Sequence, residues 1–512
     1  MRDPGADDGP GAENGARVHD GPVAALRGLL AGTDAWFVGG SVRDRLLGRP
    51  TSDFDVAIAA DTGKTARALA RRVGAPTFPL SETFGSWRVI ARDHSWQVDL
   101  TPLGAATIED DLGQRDFTIN AIAEPLAGGE LVDPFGGQAD LAAARLRMVA
   151  PGAFAADPLR TLRLPRIAAE LGLEVDAETG EGARRVAPAL ATVAAERIFA
   201  ELKRIVAGPE ALRGLELMLT YGVTQQVLPE LAELRGIEQS RYHHLDVYGH
   251  TMAALAEMIA LEGSGWAILG DRAPAVTELL AEPLADELTR GQALRFGALF
   301  HDIAKPQTRS VSDEGRISFI GHDALGAEMA RDVLGRLRAS ERMRAHVAAL
   351  TLGHLRLGFL VHETPLSRRA IYRYLRMSEP VEVDVTLLSV ADRLATRGAR
   401  SEEAIARHLE LAGEMVAEGL RWRSGRPAPI VRGDELARRL HIRPGPELGS
   451  LLCELDEAAF AGEVSTPEEA VALARQLADR GAAGRLGGGG GSGGGGSGGV
   501  GGGMGGGGGG GG

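Results

Sequence analysis

Cysteine is almost absent from this sequence, since Cys453 is the only one in 512 residues. A single thiol excludes internal disulfides and zinc clusters held by thiolates, and it fits a reducing compartment. Any metal site must therefore be built from carboxylates and histidines.

Long apolar runs are missing as well. No stretch of about 18 apolar residues, the length that spans a bilayer, occurs. The N-terminus begins Met-Arg-Asp-Pro-Gly and has no apolar segment typical of a signal peptide. The sequence therefore predicts no membrane contact, no secretory leader and a cytoplasmic location.

Both ends of the chain are poor in apolar side chains. The 26 residues from Gly487 to Gly512 include 22 glycines, and residues 1–22 are rich in Gly, Asp, Pro and Asn. Such segments cannot bury enough apolar surface to offset the entropy lost on ordering. We predict that 1–22 and 487–512 are disordered, which leaves about 460 residues for two to four domains.

The net charge of −13 argues against indiscriminate binding to nucleic acid. One stretch differs: Arg331 to Arg376 holds ten arginines and three acidic residues. This local excess of positive charge indicates either a solvated helical face or a surface for RNA.

The pattern of apolar residues changes along the chain. Apolar, β-branched segments predict strands at 36–38, 54–58, 87–90 and 96–100, with helices at 42–47 and 64–73 between them. From about Ala139 to Ala478 helical periodicity dominates. We therefore expect an α/β head with a small mixed sheet, followed by an all-α remainder.

Two carboxylates on one predicted strand indicate a metal site. Asp53 and Asp55 are two residues apart, so both side chains lie on the same face of the strand. Their repulsion requires a cation, and carboxylates together with substrate phosphates suit Mg²⁺. Asp99, on another predicted strand, could complete a two-metal site.

Gly39 and Gly40 follow a strand and open a helix, where backbone N–H groups can receive phosphate.

Several motifs occur in a characteristic order. They are Gly39-Gly40-Ser41-Val42-Arg43-Asp44, Asp53-Phe54-Asp55, Arg115-Asp116-Phe117-Thr118-Ile119-Asn120-Ala121, Asp133-Pro134-Phe135-Gly136-Gly137, Asp157-Pro158-Leu159-Arg160-Thr161-Leu162-Arg163 and Glu196-Arg197-Ile198. This series resembles that of the class II CCA-adding tRNA nucleotidyltransferases and bacterial poly(A) polymerases.

The resemblance implies an enzyme that adds nucleotides to tRNA 3′ ends from CTP and ATP without a template. It makes Asp53 and Asp55 the ligands of catalytic Mg²⁺, with Asp99 assisting. It assigns nucleotide binding to Gly39, Gly40, Ser41, Arg43, Asp44, Arg115, Asp116, Asn120, Asp157, Arg160 and Arg163.

In that family an Asp and an Arg on a neck helix recognise the incoming base, and Asp157 and Arg160 match them. Their spacing of three predicts that both lie on one helical face. The family usually has Glu before this Asp, whereas the chain has Ala156. A carboxylate that would brace Asp157 is therefore missing.

The segment between Asp99 and Arg115 is short compared with that of CCA-adding enzymes, in which a longer flexible stretch helps the switch from C to A. Family members that add only CC also lack this stretch. CC addition and poly(A) synthesis therefore remain alternatives to CCA addition.

A second constellation resembles the HD superfamily of phosphohydrolases. His250, His301-Asp302 and Asp392 match its core ligands, and His322 and His354 are further candidates. Imidazoles with carboxylates suit Mg²⁺ or a divalent transition metal. The stretch Tyr242-His243-His244-Leu245-Asp246 leads into His250.

The resemblance implies that the HD site removes phosphate or 2′,3′-cyclic phosphate from RNA 3′ ends. Two other hypotheses remain: an HD phosphohydrolase with a vestigial nucleotide-sensing head, and a non-catalytic RNA-binding protein. The sequence carries no signal for an oligomeric state.

The predicted organisation has six parts. They are 1–22 (disordered), 23–150 (nucleotidyltransferase head), 151–235 (helical neck with the base-recognition motif), 236–425 (HD-type helical domain), 426–486 (C-terminal helical segment) and 487–512 (disordered Gly-rich tail).

Overall fold

The computed structural model of the protein describes residues 20–81, 85–239, 244–363, 365–396 and 401–487. Nearly all of the two predicted disordered ends, and Tyr242 and His243, therefore lie outside the described residues. The first described helix, α1 (Asp20–Leu29), begins three residues before position 23. Pro22 fits this place, since its fixed φ suits the first turn of a helix.

The head contains a six-stranded mixed sheet, as predicted, in the order β3-β4-β5-β2-β1-β6. Only β2 and β5 are parallel neighbours. The strands are β1 (Ala35–Val38), β2 (Asp53–Ile58), β3 (Thr77–Ser81), β4 (Ser86–Ile90), β5 (Gln97–Pro102) and β6 (Ala123–Pro125). The sequence pattern did not predict β3 and β6, which are the two edge strands; β3 contains Pro79, which an edge strand tolerates.

Alternating side chains of the central strands fill two separate cores. Val56 and Ile58 of β2 pack under α1 and α3, whereas Ala57 packs on the opposite face with Ile108 and Leu112 of α4. The helices of the head and neck are α1, α2 (Gly40–Leu46), α3 (Thr62–Val73), α4 (Ile108–Gly113), α5 (Gly137–Ala142), α6 (Ala153–Ala156), α7 (Arg160–Leu171), α8 (Ala177–Val186), α9 (Ala195–Ala207), α10 (Ala211–Thr220), α11 (Thr224–Val227) and α12 (Pro229–Ala232).

Helices dominate the rest of the described chain, as expected. They are α13 (Val247–Gly263), α14 (Ala273–Ala281), α15 (Arg290–Phe300), α16 (Lys305–Thr308), α17 (His322–Arg336), α18 (Glu341–Gly353), α19 (Arg356–Leu360), α20 (Arg368–Ser378), α21 (Glu382–Ala395), α22 (Ser401–Ser424), α23 (Gly433–Leu440), α24 (Pro446–Phe460) and α25 (Pro467–Gly487).

Three two-stranded ladders interrupt the helices. They pair β7 (Arg145–Leu146) with β8 (Glu174–Val175), β9 (Pro283–Ala285) with β10 (Leu288–Thr289), and β11 (Ser310–Val311) with β12 (Ile317–Ser318). Strands of two or three residues are too short to show a period of two, so the sequence did not predict them.

Two compact units share the described chain. The first runs up to Val361 and resumes from Val383 to Val416; the second comprises His362–Glu382 and the described residues from Ala417 onward. The finer limits of the domains stay a prediction.

Within the part of the chain that the structure describes, no single helix is long and apolar enough to cross a membrane. By length and composition, one bent pair, Val247–Gly263 with Ala267–Ala281, passes that test.

A tight contact at Gly137 supports the loop that carries the Arg-Asp-Phe-Thr-Ile-Asn motif. A Cβ at this position would lie 2.2 Å from the carbonyl oxygen of Thr118 and 2.8 Å from Ile122 Cγ1. The Asp133 carboxylate accepts hydrogen bonds from the backbone N–H groups of Gly137 and Gln138, which fixes the start of α5. The glycine is therefore required by a close backbone approach.

We expect Gly137→Ala to destabilise the protein by roughly 1–3 kcal/mol, because the added methyl group overpacks this contact. Urea unfolding monitored by circular dichroism measures the effect. Gly152→Ala is the matched control, since a Cβ at Gly152 would meet nothing within 4 Å. Equal unfolding midpoints for the two variants would show that the contact relaxes without cost.

Candidate active site and metal cluster

Three carboxylates lie side by side on neighbouring strands of the head. Asp53 and Asp55 share one face of β2, and in the parallel ladder Asp55 is paired in register with Asp99 of β5. Arg88 of β4 donates to both oxygens of Asp99, at 2.7 Å each. The structure thus brings the three predicted residues together, but it also gives Asp99 a bidentate partner that Asp53 and Asp55 do not share.

The surroundings of Asp55 disfavour its negative charge. Protein atoms crowd this carboxylate although it borders an open cleft, and this burial raises the pKa of Asp55 to about 6, with Asp99 adding to the effect. Burial also raises the pKa of Asp53. Two hard oxygen donors whose charges repel fit Mg²⁺, because a divalent cation removes both the repulsion and the desolvation cost.

A cleft of about 480 Å³ opens above these carboxylates. All the predicted nucleotide-binding residues except Asp157 line it, together with Asp53 and Asp55. Four of the lining residues are arginines of the neck: Arg160, Arg163, Arg166 and Arg204. Acidic groups on one side and guanidinium groups on the other suit a polyphosphate that is bound together with a cation.

Gly39 needs to be glycine for two reasons. Its φ is +68°, which places it in the left-handed region. A Cβ would also lie 3.1 Å from Arg115 Nη1 and 3.5 Å from Asp55 Oδ2. The backbone at the end of β1 can therefore approach a ligand in the cleft closely.

A chain of hydrogen bonds that ends in an ion pair, which we call the head–neck relay, connects Asp44, Arg43, Asn120, Asp116 and Arg163. Arg43 donates to both oxygens of Asp44, at 2.9 and 3.0 Å, and to Asn120 Oδ1 at 2.7 Å. Asn120 Nδ2 donates to Asp116 Oδ1 at 3.0 Å, and Arg163 Nη2 lies 2.9 Å from Asp116 Oδ2. Burial alone would raise the pKa of Asp116, but Arg163 and Asn120 bring it below its ordinary value.

The Arg-Asp-Phe-Thr-Ile-Asn motif folds so that its apolar and polar residues point in different directions. Phe117 and Ile119 are fully buried in the core of the neck. Asp116 and Asn120 join the relay, while Thr118 donates to Asp140 at 2.6 Å. Burial of the two apolar side chains thus holds Asp116 and Asn120 at the cleft.

The structure corrects one expectation about Asp157 and Arg160. Arg160 begins α7, but Asp157 lies before that helix with φ −145° and ψ 101°, so the two do not share a helical face. Pro158 explains this, because a residue that precedes proline is excluded from the helical region. Both residues still line one cavity, of about 970 Å³, and Arg160 also borders the cleft above Asp55.

Asp157 has a brace despite the alanine at position 156. Arg197 Nη2 lies 2.8 Å from Asp157 Oδ2, and the backbone N–H of Leu159 donates to Asp157 Oδ1 at 3.2 Å. Arg160 donates to the carbonyl oxygens of Arg115 and Ala153, at 3.0 Å each. These contacts fix both side chains from the backbone and from α9.

Sequence reasoning missed three arginines at this site. Arg166 and Arg204 line the cleft, and Arg88 holds Asp99. The spacing Arg160, Arg163, Arg166 is a signal that could have revealed Arg166, because residues three apart share a helix face. Arg88 gave no such signal, since only the register of β4 against β5 places it beside Asp99.

The six predicted HD residues converge inside the first unit. His250 lies on α13, His301 and Asp302 follow α15, His322 begins α17, His354 follows α18, and Asp392 lies on α21. They form two groups of three that could each hold a metal ion: His250, His301 and Asp392, and Asp302, His322 and His354. Asp302 also joins the groups, since its Oδ2 lies 3.1 Å from His301 Nε2.

Backbone contacts orient three of these imidazoles. Nδ1 of His301, His322 and His354 lies 2.8, 2.6 and 2.6 Å from a backbone carbonyl oxygen. A proton on each Nδ1 leaves every Nε2 as a lone pair that points into the cluster, which is the usual arrangement of metal-binding histidines. His322 Nε2 and His354 Nε2 are 3.3 Å apart, so two lone pairs face each other unless a cation or proton lies between them.

The pKa shifts of His354 and His301 have opposite directions. Burial lowers the pKa of His354 to about 4, and His301 adds to the effect. Burial would also lower the pKa of His301, but Asp302 raises it above its ordinary value. Imidazole and carboxylate ligand atoms that lie this close together fit a divalent cation.

The basic stretch from Arg331 to Arg376 is largely neutralised by ion pairs. In the first unit, Arg331 and Arg344 pair with Glu341, and Arg336 pairs with Glu230. In the second, Arg368, Arg369, Arg373 and Arg376 pair with Glu418, Glu463, Glu457 and Glu379. Most of these acidic partners lie outside the stretch in sequence. The count of charges along the stretch therefore overstates its positive charge in the folded protein, and with it the case for an RNA-binding surface.

Three segments of the chain match known protein families. Residues 35–147 match the family described as Poly A polymerase head domain, and residues 172–234 match the probable RNA and SrmB-binding site of polymerase A. Residues 274–397 match the HD domain family. Five of the six candidate metal ligands fall within that last match, and His250 lies before it.

Two relatives resemble most of the chain. It is 37% identical to an A-adding tRNA nucleotidyltransferase of Deinococcus radiodurans, over 87% of this chain and 96% of the relative. It is 35% identical to a CC-adding tRNA nucleotidyltransferase of Thermus thermophilus, over 85% of this chain and 92% of the relative.

A solved structure shares the fold. The CCA-adding enzyme of Bacillus stearothermophilus in complex with CTP aligns with a TM-score of 0.58 and 22% identity, over 90% of this chain and 99% of that one. With full-length relatives above one third identity, and with the head, RNA-binding and HD families matched in order, the chain belongs to the tRNA nucleotidyltransferase family.

Proposed function

We propose that this protein adds CMP and AMP to the 3′ end of tRNA, without a template, from CTP and ATP. The observation that carries this proposal is the cleft in which Asp53 and Asp55 face a wall of neck arginines. The names of the relatives and the CTP complex of the structural neighbour support the same substrates. A cytoplasmic location follows from these substrates and stays a prediction.

Asp53 and Asp55 would hold Mg²⁺. When bound, such ions lower the pKa of an attacking hydroxyl and neutralise charge on the triphosphate and the leaving pyrophosphate. The raised pKa of Asp55 supports this role, because the site favours a cation beside that carboxylate. Asp99, which accepts two hydrogen bonds from Arg88, lies in register with Asp55 and orients the RNA 3′-hydroxyl.

The other walls of the cleft bind and orient the nucleotide. Arg115, Arg163 and Arg204 offer N–H donors to the phosphates, and the Gly39 backbone allows a close approach. Asp157 and Arg160 present acceptors and donors to the edge of the base, where the cleft meets the neighbouring cavity. The head–neck relay keeps the two ends of this binding region at a fixed separation.

A second candidate, addition of CC alone, is favoured by one observation. Only five residues, 103–107, connect β5 to α4. Thr107 caps α4 by accepting from the backbone N–H of Asp110, and the backbone N–H of Gly104 donates to Asp111. A connection this short, and held by these hydrogen bonds, cannot move far enough to change the base-binding site from one that accepts C to one that accepts A.

We expect Asp55→Asn to lower the rate of nucleotide incorporation into tRNA by about 1,000-fold or more, because it removes a charged ligand of the catalytic cations. Radiolabelled CTP and ATP measure the rate, and filter binding checks that the affinity for tRNA is retained.

Asp93→Asn is the control for that substitution. Asp93 lies in an exposed turn of the same head, where it accepts from Ser95. It should incorporate nucleotides at the rate of the natural protein. An active Asp55→Asn variant would overturn the assignment of the cleft.

Sequencing of extended products distinguishes the possible end products. We expect a tRNA that ends at its discriminator base to gain two cytidines and then one adenosine when CTP and ATP are both present. Products that stop at CC would establish the second candidate. Addition of A only to a substrate ending in CC would assign the specificity named for the Deinococcus relative, and absence of all incorporation would contradict the proposal.

We further propose that the HD cluster is a metal-dependent phosphohydrolase that removes 3′ or 2′,3′-cyclic phosphate from RNA. The converging Nε2 lone pairs of His301, His322 and His354 support metal binding at this site. Such an activity would supply the free 3′-hydroxyl that the head must extend.

We expect His354→Ala to bind one divalent ion fewer than the natural protein and to lose hydrolysis of the cyclic phosphodiester to a monophosphate, because it removes one ligand from a group of three. Titration calorimetry with Mn²⁺ or Ni²⁺ gives the stoichiometry, and 2′,3′-cyclic nucleotides serve as substrate. His362→Ala, which removes an exposed imidazole, is the control. Unchanged metal binding and unchanged hydrolysis in His354→Ala would rule the cluster out as the site.

A further inference from the structure

The second unit contains a small cavity walled by aromatic rings. Tyr372, Trp422 and Phe460 contact one another, with ring centroids 5.7, 5.5 and 5.9 Å apart. They line a cavity of about 270 Å³. This volume lies just below the range of roughly 300–1,000 Å³ that holds drug-sized ligands, so it suits a single flat heterocycle.

Asp456 supplies the only acidic group among the described residues that line this cavity. It makes no hydrogen bond and no ion pair to any residue in the part of the chain that the structure describes. Burial raises the pKa of Asp456, while Arg426 and Arg376 act in the opposite direction. A half-buried carboxylate without a partner can accept hydrogen bonds from a ligand with N–H donors.

Two guanidinium groups make cation–π contacts with the aromatic rings that line the cavity. Arg368 lies over the ring of Phe460, 4.2 Å from its centroid, and Arg426 lies over Trp422 at 5.4 Å. Both arginines border the cavity. Arg368 also pairs with Glu418 and Arg426 with Glu379, and their remaining N–H groups can donate to acceptors of a ligand that lies in the cavity.

We propose that this cavity binds a guanine base. Guanine carries two adjacent donors, N1–H and the 2-amino group, which match the two oxygens of one carboxylate such as Asp456. Its other edge carries the acceptors O6 and N7, which are a preferred partner of an arginine such as Arg426. The flat ring system stacks on aromatic side chains.

The remaining bases fit less well. Adenine and cytosine place an acceptor next to their amino group, and that acceptor would face the Asp456 carboxylate. Uracil has one N–H between two carbonyl groups. Hypoxanthine, which is guanine without the 2-amino group, keeps one of the two donors and therefore serves as a graded probe.

The guanine could belong to a free nucleotide or to an unstacked residue of an RNA, because the base presents the same edges in both. This site is separate from the cleft of the head and does not depend on the function proposed for it. All six side chains that carry the inference lie in the second unit.

Titration calorimetry of the full-length protein tests the proposal, with saturating CTP present to fill the head cleft. We expect GMP to bind and IMP to bind about tenfold more weakly, since loss of one hydrogen bond to a charged group costs that much. AMP and CMP should bind more weakly still. Asp456→Asn should weaken GMP binding by about tenfold or more, because it removes one of the two acceptors.

Glu454→Gln is the matched control, since it neutralises an exposed carboxylate on the same helix outside the cavity. A second arm uses a short single-stranded RNA with one guanosine, and the same RNA with inosine in its place. Preference for guanine in the nucleotide arm, the RNA arm or both supports the proposal and identifies the source. Equal binding of guanine and hypoxanthine in both arms overturns it, and this comparison requires no variant to fold.

Discussion

An ion pair between the head and the neck, Asp116 with Arg163, anchors the candidate active site. Asp116 is buried, and its charge is retained only because Arg163 and Asn120 contact it. Asn120 in turn receives Arg43, which is clamped on Asp44. Hydrogen bonds join Asp44, Arg43, Asn120 and Asp116, and the ion pair of Asp116 with Arg163 continues this network to the neck helix α7.

Much of this arrangement could be predicted from the sequence. The spacing of Asp53 and Asp55 places both on one strand face, and the order of the motifs identifies the residues of the cleft. What the sequence could not supply was pairing between distant segments. Arg88 meets Asp99 only through strand register, and Arg197 braces Asp157 from a helix 40 residues away. The helical placement of Asp157 was wrong because the effect of Pro158 on its neighbour outweighs the periodicity around it.

For the HD cluster, too, the sequence identified the residues and only the structure showed how they are oriented. The identity of its six residues followed from a resemblance, whereas their protonation follows from backbone geometry. Carbonyl groups at the ends of α15 and α18 accept from Nδ1 and so determine that Nε2 faces inward. The buried histidines are thus prepared for a cation by the helix ends that carry them, rather than by the carboxylates alone.

The second unit is made of two segments that are separated in sequence, so it cannot be removed by truncating the chain at one point. That unit is built from His362–Glu382 and from the residues after Ala417, with helices of the first unit in between. Helix α20 therefore depends on segments that are synthesised later, and it buries Ile371, Tyr372 and Leu375. A chain that ends near Val416 would keep α20 but lose its core, and would expose an apolar helix face. The second unit cannot be deleted by one stop codon without creating a site for aggregation.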